Sequence, residues 1–236
     1  MSRIGARTSP GHSPLVRPLF LTMISICVGG ILLLAGGRWS WWEGWMIAAI
    51  YGSMLVGSSV WVEIKAPDLS EERIQTVSHP GSLHERLILI WVPLLLVATL
   101  IVAALDGGRF GWSQVPLWVE IIGFALFAVY IILNLWTAAN NPFLSATARV
   151  QEERDHHVVE SGPYRFVRHP MYLGLIFLGF GLPLALGSWW ALIPGVMFGL
   201  TFVYRTAQED RLLRNNLPGY EDYTHRTDYK LLPGIW

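Results

Sequence analysis

The 236-residue chain carries 17 basic and 17 acidic side chains, so no global field draws it to nucleic acid. It is 53% hydrophobic and only 14% charged, with a mean hydropathy of +0.41, which points away from a soluble domain and toward an integral membrane protein. The single cysteine, Cys27, leaves no disulfide framework and no cysteine-based zinc site.

Residues 1–16 mix Gly, Ser, Pro and Arg without periodicity and read as a disordered basic tail. Apolar runs follow at Pro18–Gly36, Trp42–Val62, Leu87–Leu105, Leu117–Trp136, Pro170–Leu186 and Trp189–Tyr204, most of them close to the roughly 20 residues a helix needs to cross the bilayer. The first run is too long for a signal peptide, and Ala35-Gly36-Gly37 is a poor cleavage site, so it is read as a retained span. The expected fold is all-α and polytopic, with about six transmembrane helices: a four-helix scaffold over 17–137 and a catalytic region over 138–236.

Six spans put both termini on one side. The positive-inside rule makes that side cytoplasmic, because of all the Lys and Arg only Arg38 and Arg109 fall in the opposite loops. Trp39, Trp41, Trp42, Trp45, Trp112, Trp118, Trp189 and Trp190 gather at the outer ends, as an aromatic belt. Glu43, Glu63 and Glu120 sit near span ends and read as snorkelling side chains. Gly195-x-x-x-Gly199 and Ser53-x-x-x-Gly57 are spacings that let helices approach closely. Residues 63–86 read as a charged loop with an amphipathic surface helix from Ser70. Residues 170–204 read as a tight hairpin, because one helix of that length would exceed about 50 Å. After Tyr204 the last long helix is expected to run on to about Asn216 and to stop near Pro218-Gly219.

No Gly-rich turn between a strand and a helix is present, so a nucleotide-like ligand must use loops. The polar stretch from Gln151 to Gly174 concentrates His, Arg, Tyr, Gly and Pro where each needs a partner. His169-Pro170 is a helix start, whose free amides and dipole favour an anionic group. Tyr172 shares a face with His169. Tyr164, after Gly162-Pro163, sits in a constrained turn and either stacks on a purine or packs the loop down. Adjacent His156 and His157 point apart and lack a third ligand at metal spacing, so no metal is expected. Arg205 and Glu209, four apart, share a helix face near the inner surface.

Three phrases occur in order: His156-x-Val-Val-x-x-Gly162-x-Tyr164, Arg168-His169-Pro170-x-Tyr172-x-Gly174 and Arg205-Thr-x-x-Glu209. Together they resemble the isoprenylcysteine carboxyl methyltransferase family and its phospholipid methyltransferase relatives, over roughly the last 95 residues. Upstream, only Pro67-x-Leu-x-x-Glu-Arg73 matches, loosely.

The resemblance implies S-adenosylmethionine as cofactor. It implies a backbone cradle from His156 through His157 and Val158 to Val159, with Tyr164, His169, Pro170, Met171 and Tyr172 completing the cofactor site. Gln151 matches a cofactor-binding Gln only across a two-residue gap. Arg205 would contact the acceptor and Glu209 the cofactor, although the shortened acidic run Glu209-Asp210 leaves open which acid does so. The expected acceptor is lipophilic, a carboxylate or thiol such as an isoprenylcysteine, and membrane lipids are the remaining partners; the expected location is a bacterial inner membrane. Sterol reductases carry a similar Arg-His-Pro-x-Tyr string, so an NADPH-dependent membrane reductase is the alternative, with Arg154, Arg165 and Arg168 available to a 2′-phosphate.

Overall fold

A computed structural model describes residues 32–65, 82–145 and 147–236, together with 22, 23, 26, 29 and 30; the side chains of 59, 62, 63 and 65 are not described. The expectations for the basic tail, for Cys27, for about half of the first run, for the Ser70 surface helix and for the Glu63 side chain lie outside these residues. The described residues form helices and loops with no strand.

Helix α1 spans Trp42–Lys65, α2 Leu83–Ala103, α3 Leu117–Asn140, α4 Pro170–Ala185, α5 Leu192–Asn216 and α6 Tyr220–Arg226. A π-helical extension, Ala104–Phe110, lengthens α2 and stops at Gly111, whose φ of 62° suits glycine. Among the described residues two helices are long and apolar enough to cross a membrane: Leu83–Phe110, of 28 residues, and Leu117–Asn140, of 24. Large side chains such as Ile90, Leu94, Ile121 and Ile132 are exposed along them, as lipid-facing positions would be. Helix α4 has 16 residues, about 24 Å at 1.5 Å each, and falls short of a span by itself. It joins α5 through the turn 186–191, so the pair is a hairpin.

Helix α2 begins four residues before the apolar run that marks it. The Ser82 hydroxyl accepts the Glu85 amide at 3.2 Å, a cap that carries Glu85 and Arg86 into the helix and out of the expected loop.

Glycines set how the last three long helices meet. A Cβ on Gly123 of α3 would lie 2.2 Å from the Ala185 nitrogen of α4, and one on Gly179 of α4 would lie 2.5 Å from the Gly195 carbonyl oxygen of α5. Backbones therefore touch along both seams, and Gly195 is the contact its spacing foretold. Gly57 has open space around it and Ser53 turns its hydroxyl back to the Ala49 carbonyl, so among the described residues that second pair makes no close helix contact.

At the end of the bundle away from the 141–169 loop a buried Asp106 accepts the Ser113 amide (2.7 Å) and the hydroxyls of Ser113 and Ser188 (2.6 Å each). This knot ties the end of α2 to the α4–α5 turn. The tryptophans there are exposed with one exception: Trp41 is 4% accessible and fills a niche beside Gly36, Gly44 and Gly108. It belongs to the core, not to the belt.

Candidate cofactor site beneath the helical hairpin

The other end of the bundle holds the loop 141–169 and the C-terminal helices. The loop folds on itself around Phe143. The His156 ring stacks on the Phe143 ring at 4.5 Å, the His157 ring meets it edge-on at 4.9 Å, and the Arg154 guanidinium lies 5.7 Å away.

Gln151 is wholly buried. Its amide donates to the Phe143 carbonyl at 2.7 Å and accepts from Arg154 at 2.7 Å, while its backbone N–H reaches His156 Nδ1 at 3.3 Å. That contact requires Nδ1 to be bare, so a neutral His156 carries its proton on Nε2. Burial, with the neighbouring His157 charge second, holds the His156 pKa below the ordinary imidazole range.

Gly162 then turns the chain with φ of 61°, so close to α3 that a Cβ would meet the Asn140 side chain at 2.5 Å. Tyr164 is buried behind it. Its hydroxyl accepts Asn141 at 2.6 Å, and its carbonyl accepts the Tyr223 hydroxyl at 2.8 Å. Burial raises the Tyr164 pKa, so the phenol stays protonated.

Arg168 and His169 pair through their backbones with the tail. Their amides donate to the Tyr229 and Lys230 carbonyls at 2.9 Å each. The Arg168 side chain runs to Asp210 (2.9 Å) and to the carbonyls of Thr227 (2.7 Å) and Asp228 (2.9 Å). Asp210, 2% accessible, also meets the Tyr220 hydroxyl at 3.2 Å, Arg214 at 3.3 Å and His169 Nε2 at 3.5 Å. Burial alone would raise the Asp210 pKa, but hydrogen bonds from His169 and Arg168 outweigh it and hold the carboxyl far below its usual range.

Pro170 opens α4, as the sequence predicts. The Tyr172 ring lies parallel to His169, with centroids 5.8 Å apart, and its hydroxyl donates to Glu209 of α5. The Arg205 guanidinium stands 5.7 Å from the same ring on one side and 3.5 Å from the Glu85 carboxylate of α2 on the other.

These elements form a cavity of about 90 Å³ that opens to solvent. His156, His157, Val158, Val159, Tyr164, His169, Pro170, Met171, Tyr172 and Glu209 all line it. Gln151 and Arg205 do not: Gln151 is a strut inside the loop, and Arg205 stands behind Tyr172. Glu209 faces the cavity while Asp210 is consumed by structural ion pairs, which separates two acids that the sequence leaves equivalent. Of the three arginines a 2′-phosphate would need, Arg154 and Arg165 are outside the lining and Arg168 is held by Asp210.

Among the described residues, His157, Val158 and Val159 make no backbone hydrogen bond at all. Their amides and carbonyls are a polar edge beside the cavity, which a purine can complete. Phe143, Asn141, Leu213, Leu217, Tyr220 and Tyr223 also line it and escape a reading by motif. Leu213, Leu217 and Tyr220 do recur at apolar helical spacing past the apolar part of α5, which is the signal that marks them. With a carboxylate, aromatic faces, the first turn of α4 and this free backbone edge, the residues fit an adenosine-bearing sulfonium ligand. Among the described residues there is no group of three or more His, Cys, Asp or Glu placed to hold a metal ion.

One curated protein, the nickel-cobalt-cadmium resistance protein NccN of Alcaligenes xylosoxydans xylosoxydans, is 27% identical over 138 residues. The match covers 56% of this chain and 59% of that relative, so the chain spans about three fifths of its length. Residues 118–218, from α3 to the turn after α5, match the phospholipid methyltransferase family. The matched residues include the ten of the twelve expected site positions that line one cavity, so the resemblance to that family and the geometry of the site coincide.

Proposed function

We propose that the protein is a multi-pass membrane methyltransferase that uses S-adenosylmethionine and methylates a lipophilic acceptor through a carboxylate or thiol, of the isoprenylcysteine type. The observation that carries this reading is the free backbone edge of 157–159 facing Glu209 across one cavity. The cofactor brings an activated methyl group on a positively charged sulfur. The protein's part is placement. The backbone edge takes the adenine, Glu209 holds the cofactor from the α5 side with its own orientation fixed by Tyr172, and Arg205 receives the anionic end of the acceptor.

A carboxylate acceptor is ionised at neutral pH and needs no general base. Alignment and exclusion of water then supply the acceleration, and well-oriented reactants gain roughly 7–11 kcal/mol in this way. An acceptor from the bilayer reaches Arg205 between α2 and α5, while the soluble cofactor enters from the aqueous loop side.

Titration calorimetry with S-adenosylhomocysteine tests the assignment. Glu209→Ala should weaken binding itself, whereas Arg205→Ala should bind nearly as wild type yet fail to turn over. Equal behaviour of the two variants would refute these roles.

A further inference from the structure

We infer that Glu85 is an internal occupant of the acceptor subsite: its carboxylate sits on Arg205 at rest and is exchanged for the carboxylate of an incoming amphiphile. The inference rests on the functional reading above and adds to it a residue from α2 that sets acceptor affinity.

Three observations meet here. Glu85 Oε2 is buried and accepts no hydrogen bond, although Arg205 Nη2 lies only 3.5 Å away. A closed guanidinium–carboxylate pair stands at about 2.7–2.9 Å, so the Glu85 carboxylate holds Arg205 at longer range than a bidentate pair would. The carboxylate is also the less enclosed partner, with 15% of its side chain accessible against 8% for Arg205.

A groove between α2 and α5, lined by Leu87, Ile88, Trp91, Met197 and Leu200, faces outward from the bundle. Because α2 leaves the loop end and α5 returns to it, His84 and Tyr204 close the groove at the loop end, their rings meeting edge-on at 5.4 Å. Each is the chain neighbour of one member of the ion pair. Glu85 and Arg205 do not line the groove itself; an apolar tail laid in it ends at His84 and Tyr204, one residue from each member of the pair, and its head reaches the pair by passing between these two rings.

Exchange of one carboxylate for another keeps the charge on Arg205 balanced. It also selects: an alcohol cannot displace Glu85, and an ammonium would pair with Glu85 and leave Arg205 unchanged.

Decanoate, decanol and decylamine, titrated into detergent-solubilised full-length protein and followed by tryptophan fluorescence, test this. Wild type should bind decanoate more tightly than decanol. Glu85→Gln should bind decanoate about tenfold more tightly, since a competing carboxylate has been removed, and Arg205→Gln should lose the preference for decanoate. S-adenosylhomocysteine affinity, measured on the same samples, reports separately on the cofactor reading and on the fold of each variant. Equal wild-type affinities for decanoate and decanol overturn the inference, as does an unchanged decanoate affinity in Glu85→Gln. Loss of decylamine binding in Glu85→Gln, with decanoate unaffected, would instead make Glu85 an amine site. Failure of S-adenosylhomocysteine to bind wild type would sink the cofactor reading while leaving the decanoate result to be judged alone.

Discussion

The hydroxyl of Tyr172 donates to the carboxylate of Glu209, joining the first turn of α4 to the C-terminal half of α5 at the wall of the cavity. The two residues are 37 positions apart, and each is in place only because the hairpin closes on its glycine seam. The bond points one carboxylate oxygen and leaves the other for a ligand.

Tyr172→Phe removes that restraint without removing the ring. A hydrogen bond to a charged group contributes about 1.5–3 kcal/mol, so S-adenosylhomocysteine affinity should fall roughly ten- to hundredfold with helicity unchanged. Calorimetry with circular dichroism checks both halves.

Asp210 and Glu209 should fail in different ways. Asp210→Asn breaks a buried cluster with Arg168 and should cost about 3–5 kcal/mol of stability. Glu209→Gln should leave the melting temperature nearly unchanged and weaken cofactor binding. Thermal unfolding in detergent separates them; equal losses of stability would put Glu209 in the structural cluster too.

The lowered pKa of His156 sets a sign for pH. Its folded value lies below the unfolded one of about 6.5, so the unfolded chain takes up the proton first. Stability from this residue is present above that range and lost as pH falls through it. Asp210, also depressed, keeps its contribution until far more acid conditions. Melting temperature followed from pH 8 down to about pH 5 should therefore decline, and His156→Gln should flatten the decline.

Packing gives a matched pair. Gly123→Ala drives a methyl against the Ala185 backbone and should cost about 3 kcal/mol, near the upper end for overpacking, whereas Gly57→Ala meets open space and should be neutral or mildly stabilising. Melting temperatures of the two variants decide it.

Much of this was legible beforehand, because its signals are local. Pro170 announced the start of α4, α5 ends at Asn216 just before the Pro218-Gly219 pair expected to stop it, and the three phrases named nine of the cavity residues. What stayed hidden depends on distant pairing. Nothing near Gln151 says that Phe143 will take its amide and turn it inward. Nothing near Glu209-Asp210 says that Arg168, 42 residues earlier, will claim the second acid. Glu85 was hidden by a boundary error: without the Ser82 cap it read as loop charge, and its meeting with Arg205 across 120 residues has no trace in either neighbourhood.

The backbone pairing of Arg168 and His169 with Tyr229 and Lys230 has a consequence for the order of biogenesis. The loop is made some sixty residues before the tail segment that pairs with it, so the ribosome must finish residues 229–230 before the Arg168 and His169 amides find their partners. Helices α1 to α6 are already synthesised by then, and a nascent chain stalled before Thr227 would present them with the Arg168 guanidinium still lacking its two carbonyl partners.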